Sequence, residues 1–228
     1  RLQDVESNGS EVTFTIVQEE PVWDIAIPVM VGDVEHVVDL NSTSKTFTLP
    51  TAGANSLKID PDYHLFRKLH AEEIEPTLSQ IFGDDEPRFV IPSGPAGMKA
   101  KKFAEEWVEG TEYVTSDGTF DGHSSIYINP SPELISNLLP ATVEFAGKYL
   151  FINGARHNLK ENDIILTVTN ENGKTDLIVF GHSYETLPKL AGRISHYGKY
   201  SYLIFPQRGR PQKGNWEITE SPLNRRIK

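Results

Sequence analysis

From Val12 to Ile59 the chain repeats one pattern: apolar side chains at every second position, then a turn. Val12, Phe14 and Ile16 alternate with Thr13 and Thr15, and Trp23, Ile25, Ile27 and Val29 continue the alternation. Residues 34–40, 45–49 and 56–59 supply three more short segments. A period of two sends successive side chains to opposite faces of a pleated strand, so each segment has one apolar and one wet face. Gly32-Asp33, Asn41-Ser42 and Gly53-Ala54-Asn55 are turn sequences between them. Pro21 and Pro28 lack the N–H that a ladder needs and suggest an edge or a bulge. Short strands at this spacing, with no helical period before residue 62, predict a sandwich rather than a parallel sheet.

The period then changes. After Asp60-Pro61-Asp62, Leu65, Phe66 and Leu69 fall at helical spacing, and residues 76–81 read as a second short helix with Pro76 in its first turn. Gly83-Asp84-Asp85-Glu86-Pro87 is acidic and turn-rich, and the domain boundary is placed there. Beyond it strands and helices alternate. Strands are predicted over 88–91, 125–128, 143–152, 163–168, 177–180 and 202–205, with helices over 96–108, 132–139 and 184–194. Asn172-Gly173 suits a hairpin turn and Asp117–Gly122 a turn. Such alternation argues for an α/β layered domain with a partly antiparallel sheet. The tail from Gln207 is basic and rich in glycine and proline, and is expected to be mobile or lightly packed.

Charge follows the same division. Residues 1–85 carry 5 basic and 16 acidic side chains, the remainder 17 and 16, within a total of −10. Two units with different surfaces account for that asymmetry. The overall acidity argues against a nucleic-acid partner, which demands a basic face to displace counterions. No apolar run reaches the ~20 residues of a membrane span. The absence of cysteine excludes disulfides, thiolate metal sites and cysteine nucleophiles.

The chain contains little recognisable catalytic chemistry. None of the seven histidines starts a His-Glu-x-x-His pair, and no Gly-x-Ser-x-Gly elbow is present. Adjacent carboxylates such as Glu72-Glu73 and Glu105-Glu106 point in different directions on a strand or helix and make poor acid/base pairs. Catalytic and metal-ligating residues are therefore expected to be absent. Two segments are candidate binding sites. Ser93, Gly94 and Gly97 follow a strand and open a helix, where backbone amides can hold an anion or simply form a tight turn. His182, His196, Tyr197, Lys199 and Tyr200 form an aromatic and cationic rim around the last helix. The same residues also read as a helix stop, with Gly198 as a left-handed cap and the tyrosines as packing.

Several strings resemble a known family. Val17-Gln18, Pro21 and the strand from Trp23 to Val29 are similar to the sandwich that follows the catalytic domain in aminopeptidase N-type zinc peptidases, the gluzincins. Lys58-Ile59-Asp60-Pro61-Asp62 matches a strand ending in an Asp-Pro turn. The strings from Leu65 to Leu69, from Glu72 to Leu78 and from Leu190 to Ser201 resemble a bacterial branch in which an α/β region follows the sandwich. The family's zinc-binding His-Glu-x-x-His helix, third glutamate ligand and Gly-x-Met-Glu-Asn motif are not in this sequence.

The resemblance implies two domains, an immunoglobulin-like all-β sandwich followed by an α/β layered domain with a mixed sheet. The expected boundaries are 1–62 for the sandwich, 63–86 for short helices and acidic linker, 87–206 for the α/β domain and 207–228 for the tail. It implies a non-catalytic accessory segment of a larger bacterial peptidase, with zinc only in an upstream catalytic domain. The upstream domain is the expected partner, and a peptide or protein partner is a further one. An extracytoplasmic location follows from the family, with a cytoplasmic one left open. The alternative is a free-standing ligand-binding α/β protein with its site near the strand-to-helix turns.

Overall fold

The computed structural model describes residues 1–107, the backbone of 113–115, and residues 123–218 and 220–228. The Asp117–Gly122 turn lies outside the described residues. In chain order the first strands are β1 (Leu2–Ser7), β2 (Glu11–Val17), β3 (Ile25–Val31), β4 (Val34–Leu40), β5 (Ser44–Pro50) and β6 (Ser56–Ile59). Then come α1 (Leu78–Phe82), β7 (Arg88–Ile91), α2 (Pro95–Trp107), β8 (Tyr113–Thr115), β9 (Ser125–Ile128) and α3 (Pro132–Ile135). They are followed by β10 (Val143–Ala146), β11 (Tyr149–Ile152), β12 (Ala155–Asn158), β13 (Asn162–Thr169), β14 (Thr175–Phe180) and α4 (Leu187–Ile194). The chain ends with β15 (Tyr202–Pro206), β16 (Gln212–Gly214) and β17 (Asn224–Arg226). These elements form two compact units, Arg1–Ile74 with Ile218–Lys228, and Glu75–Glu217. The first is β-rich and the second is α/β.

In the first unit two antiparallel sheets, ordered β1-β2-β5 and β17-β6-β3-β4, contribute to one hydrophobic core. The alternation in the sequence explains how. Val12, Phe14 and Ile16 of β2 enter the same core as Ile27, Val29 and Val31 of β3. On the other face of β2, Thr13 and Thr15 meet Thr48 and Thr46 of β5, with hydroxyl oxygens 3.1 and 2.9 Å apart. Pro28 sits in an interior strand, not at an edge. Its carbonyl accepts the Asp60 amide at 2.8 Å, and the pairing of β3 with β6 begins only at Val29. The missing N–H therefore falls where β6 has already ended, and no ladder bond is lost.

The helix predicted around Leu65 to Leu69 does not form. Beyond β6 the chain makes an irregular loop followed by a single turn of 3-10 helix at Ala71–Glu73. Three buried or half-buried charges outweigh the helical spacing. Asp60 accepts hydrogen bonds from the amides of His64 (2.8 Å) and Leu65 (3.2 Å) and from Arg67 Nε (3.0 Å). Arg67 then grips Glu73 through both terminal nitrogens, at 2.7 and 2.9 Å. Glu73 also accepts from the His70 amide and from the hydroxyl of Ser221, near the carboxyl terminus. Burial disfavours the Glu73 carboxylate, but the bonds from Arg67, Ser221 and His70 together bring its pKa down to about 2. The loop that results holds Phe66 wholly in solvent, with Tyr63 and Leu69 also exposed.

The second unit is built on a seven-stranded sheet ordered β16-β15-β13-β14-β9-β7-β8. β7, β8, β9 and β14 are parallel, whereas β13, β15 and β16 pair antiparallel. Both faces are covered. Phe89, Ile165, Leu177 and Val179 pack with Phe103 of α2 and Leu190 of α4 on one face. Ile164, Leu166, Ile178 and Phe180 pack on the other with Leu150 and Ile152 of the small antiparallel sheet β10-β11-β12. This is why residues 163–168 and 177–180 read as near-continuous apolar runs and not as alternating ones. Thr167 is the polar exception in β13, and its buried hydroxyl donates to the Pro76 and Ser201 carbonyls at 2.6 and 2.9 Å. Asn172-Gly173 makes the expected turn between β13 and β14, with Gly173 at φ +73.

Two expectations about segment boundaries change. The Gly83–Pro87 segment lies inside the second unit, between α1 and β7. The tail packs well. β16 extends the large sheet, Trp216 is buried against it, and β17, Leu223 and Ile227 complete the first unit. Trp216 donates its indole N–H to the Thr167 carbonyl at 2.7 Å, a long-range bond that local composition does not reveal.

Candidate functional site

The parallel strands of the second unit set the first candidate site. Because β7, β9 and β14 share a direction, the residues after Ile91, Ile128 and Phe180 fall at the same end of the strands, their carboxyl end. Ser93, Gly94 and Gly97 follow β7 there, and His182 follows β14. The glycines meet steric demands. Gly94 has φ +74, and a side chain on Gly97 would place its Cβ 2.2 Å from the Pro92 carbonyl oxygen. Lys99 of α2 forms an ion pair with Glu185 ahead of α4, linking α2 to the loop after β14.

His182 is fixed by a partner that the sequence did not signal. Asp163, buried at the start of β13, accepts the His182 backbone amide at 3.0 Å, and the ring Nδ1 lies 2.7 Å from the same oxygen. A carboxylate on one ring nitrogen orients an imidazole as a base or ligand through the other. The nearby Ser183 hydroxyl donates to Glu185 at 2.7 Å. The dyad thus ties the end of β14 to the start of β13 and leaves one oriented imidazole at the carboxyl end of β14.

The remaining predicted residues lie elsewhere. α4 carries the chain about 12 Å at 1.5 Å per residue, so His196, Tyr197, Lys199 and Tyr200 emerge at the other end of the helix from His182. There the Ser79 amide of α1 donates to the Gly198 carbonyl at 2.8 Å, and the Leu78 amide donates to the Tyr200 carbonyl at 3.1 Å. Gly198 is right-handed, with φ −48, and follows a 3-10 turn; the expected left-handed cap is absent because that turn continues from α4 without reversing hand. Tyr197 packs edge-on against Phe205 at 5.6 Å and lies 6.2 Å from Tyr200. The rim gains Lys213 of β16, whose ammonium lies 4.9 Å from the Tyr200 ring centroid and 5.6 Å from that of Tyr197. Hydrogen bonding from Lys213, with the charges of Lys199 and Lys213, draws the Tyr200 phenol below its ordinary pKa. The eight predicted binding residues therefore divide into two groups at opposite ends of α4.

A third feature is a solvent-open cleft of about 640 Å³ lined in part by Asp84, Glu86, His123, Ser124 and Thr175. Its Asp84 carboxylate is already engaged. Asp84 accepts the Ser124 amide at 2.6 Å and the Glu86 amide at 3.1 Å, and His123 Nδ1 lies 3.3 Å away. Burial opposes ionisation of Asp84, but these donors lower its pKa to about 2. Behind the cleft, buried Asp176 accepts the Ser125 amide at 2.8 Å and the Asn170 side-chain amide at 3.0 Å. Burial dominates there and raises its pKa to about 6.

No set of three or more potential metal ligands occurs among the described residues. No helix among them is long and apolar enough to cross a membrane. Compared with known proteins, the chain matches no protein-family model and no curated sequence.

Proposed function

We propose that this chain is a non-catalytic accessory segment of a bacterial aminopeptidase N-like zinc peptidase. Its first unit, an immunoglobulin-like sandwich in this reading, packs on an upstream catalytic domain outside the cytoplasm, and its α/β unit serves binding or assembly. One observation carries the interaction role. Phe66 stands fully exposed on a loop that Asp60, Arg67 and Glu73 lock in place. A large apolar side chain held rigidly in water gains about 1.5–3 kcal/mol when a partner buries it. The resemblance strings support the identity of that partner, since Asp60 and Arg67 both belong to them.

The purified chain is expected to leave leucine p-nitroanilide intact with or without a chelator; chelator-sensitive hydrolysis by this chain rejects the reading. The natural polypeptide is expected to yield peptides containing His-Glu-x-x-His upstream of Arg1. When that domain and this chain are expressed separately, Phe66→Asp should weaken their association.

A second reading, ligand binding by the α/β unit, is favoured by the strand order. β8 and β9 flank β7 on opposite sides, and crevices at such switch points accept ligands outside the carboxyl ends of strands. Ser93, Gly94, Gly97 and His182 then line the site. A small-molecule thermal shift that disappears in His182→Ala supports it, and a shift unaffected by that change removes His182 from the site.

A further inference from the structure

One stretch departs from the acidity of the rest. Residues 186–216 contain no Asp or Glu and six basic side chains: Lys189, Arg193, Lys199, Arg208, Arg210 and Lys213. With those six set apart, the remainder of a chain of net charge −10 carries −16. The stretch comprises α4, the turn after it, and the β15–β16 hairpin at one edge of the large sheet. All six cations are exposed, and none forms an ion pair among the described residues.

Three of them lie against a connected aromatic cluster in which Phe205 is buried and Tyr197 and Tyr200 are half-buried. The Arg193 guanidinium lies 4.0 Å from the Phe205 ring centroid. Tyr197 bridges Phe205 to Tyr200, and the ammonium groups of Lys199 and Lys213 lie 5.3 and 4.9 Å from the Tyr200 ring. Lys199 and Lys213 thus share one tyrosine, a like-charge arrangement that an incoming anion relieves; the nearby Glu75 carboxylate is engaged by the Asn215 side-chain amide, which donates to it at 2.6 Å and to the Lys199 carbonyl at 3.0 Å.

We propose that this cationic and aromatic surface binds an acidic polypeptide segment, with carboxylates on Lys199, Lys213 and Arg193 and side-chain methylenes on Tyr197 and Tyr200. Charge complementarity selects the occupant. A single nucleic-acid strand carries a charge about every 3.4 Å without interruption, so it runs past the patch onto a surface that repels it. A short acidic segment ends where the patch ends. With screening over about 8 Å at physiological salt, the local cations act before the distant acids do. The surface belongs to the second unit and its test uses no peptidase domain, so it stands or falls separately from the accessory-segment reading.

The experiment is fluorescence anisotropy with a fluorescein-labelled octaglutamate peptide, titrated with the full chain at 20 and 150 mM NaCl. Saturable binding is expected, weakened at least fivefold by the higher salt. Lys199→Glu/Lys213→Glu should weaken it at least tenfold, whereas Lys58→Glu/Lys102→Glu, with the same change in net charge, should leave it within twofold. Tyr200→Leu, which keeps every charge, should weaken it severalfold. Circular dichroism and thermal melting establish that each variant is folded. Absence of binding at 20 mM NaCl overturns the proposal, as do equal losses in the two charge-matched doubles. Tighter binding of a labelled dT12 oligonucleotide than of the peptide also overturns it, in favour of a single-stranded nucleic-acid surface.

Discussion

The two units bury carboxylates in opposite ways. In the first, Glu73 is almost wholly buried yet stays ionised down to about pH 2, because Arg67 meets it with two hydrogen bonds and Ser221 and His70 satisfy what remains. In the second, Asp176 is equally buried, but the donors that meet it, the Ser125 amide and the Asn170 side chain, are neutral, and its pKa rises to about 6. Burial pushes both upward; a facing cation reverses the sign. The contrast also sorts the units by what their charges do. The network of the first unit fixes a loop, whereas in the second the six cations of residues 186–216 lie exposed at the surface.

The largest break in this comparison is Arg67→Ala. It strands Asp60 and Glu73 without a cation and is expected to cost about 3–5 kcal/mol, the usual penalty for removing one partner of a buried pair. Urea unfolding measures the loss, and hydrogen exchange should localise it to residues 60–73; a loss under 1 kcal/mol means the loop is held by something else.

Titration separates the units next. Glu73 has a lowered pKa, so its contribution is present above its unfolded value near 4.5 and disappears as the pH falls through about 2. Asp176 has a raised pKa, so its contribution is complete below about 3.8 and is lost as the pH rises through about 6. Two pKa units correspond to about 3 kcal/mol. Asp176→Asn keeps an oxygen for the Ser125 amide and removes the titration. Its stability relative to the parent chain should therefore improve between pH 4 and pH 7, as followed by denaturant unfolding at several pH values. An unchanged difference across that range shows that Asp176 does not titrate there.

A smaller effect is expected from Trp216→Phe. The ring still fills its place against Tyr202, but the Thr167 carbonyl loses its indole donor, at about 1–3 kcal/mol. Smallest is Phe66→Ser, which should change stability by less than about 0.5 kcal/mol because the ring touches water in the isolated chain. A large destabilisation in that variant would show that Phe66 packs within the chain and is not available to a partner.

Much of the fold was legible because its signals are local. Period-two alternation located β2 to β6, and the apolar runs at 163–168 and 177–180 gave β13 and β14. Asn172-Gly173 announced its hairpin. The failures share a cause. Leu65, Phe66 and Leu69 have helical spacing, but the groups that decide their backbone include the Glu73 carboxylate and the hydroxyl of Ser221, far along the chain. Asp163 only begins a predicted strand in the sequence, and the pairing of β13 with β14 is what brings His182 beside it. Lys213 had no signal at all, since its neighbours Tyr197 and Tyr200 are reached only when β16 pairs with β15.

By itself the sequence determined where chain segments become strands, where the period changes, and that one half is far more acidic than the other. Those properties follow from side-chain spacing and charge, which are fixed before folding. The tertiary structure decided which candidates share a site: it divided His182 from His196 by the length of α4, paired His182 with Asp163, and brought Lys213 to the tyrosines. It also gave Glu73 and Asp176 opposite titrations, because the pKa of a buried group depends on what faces it across the fold.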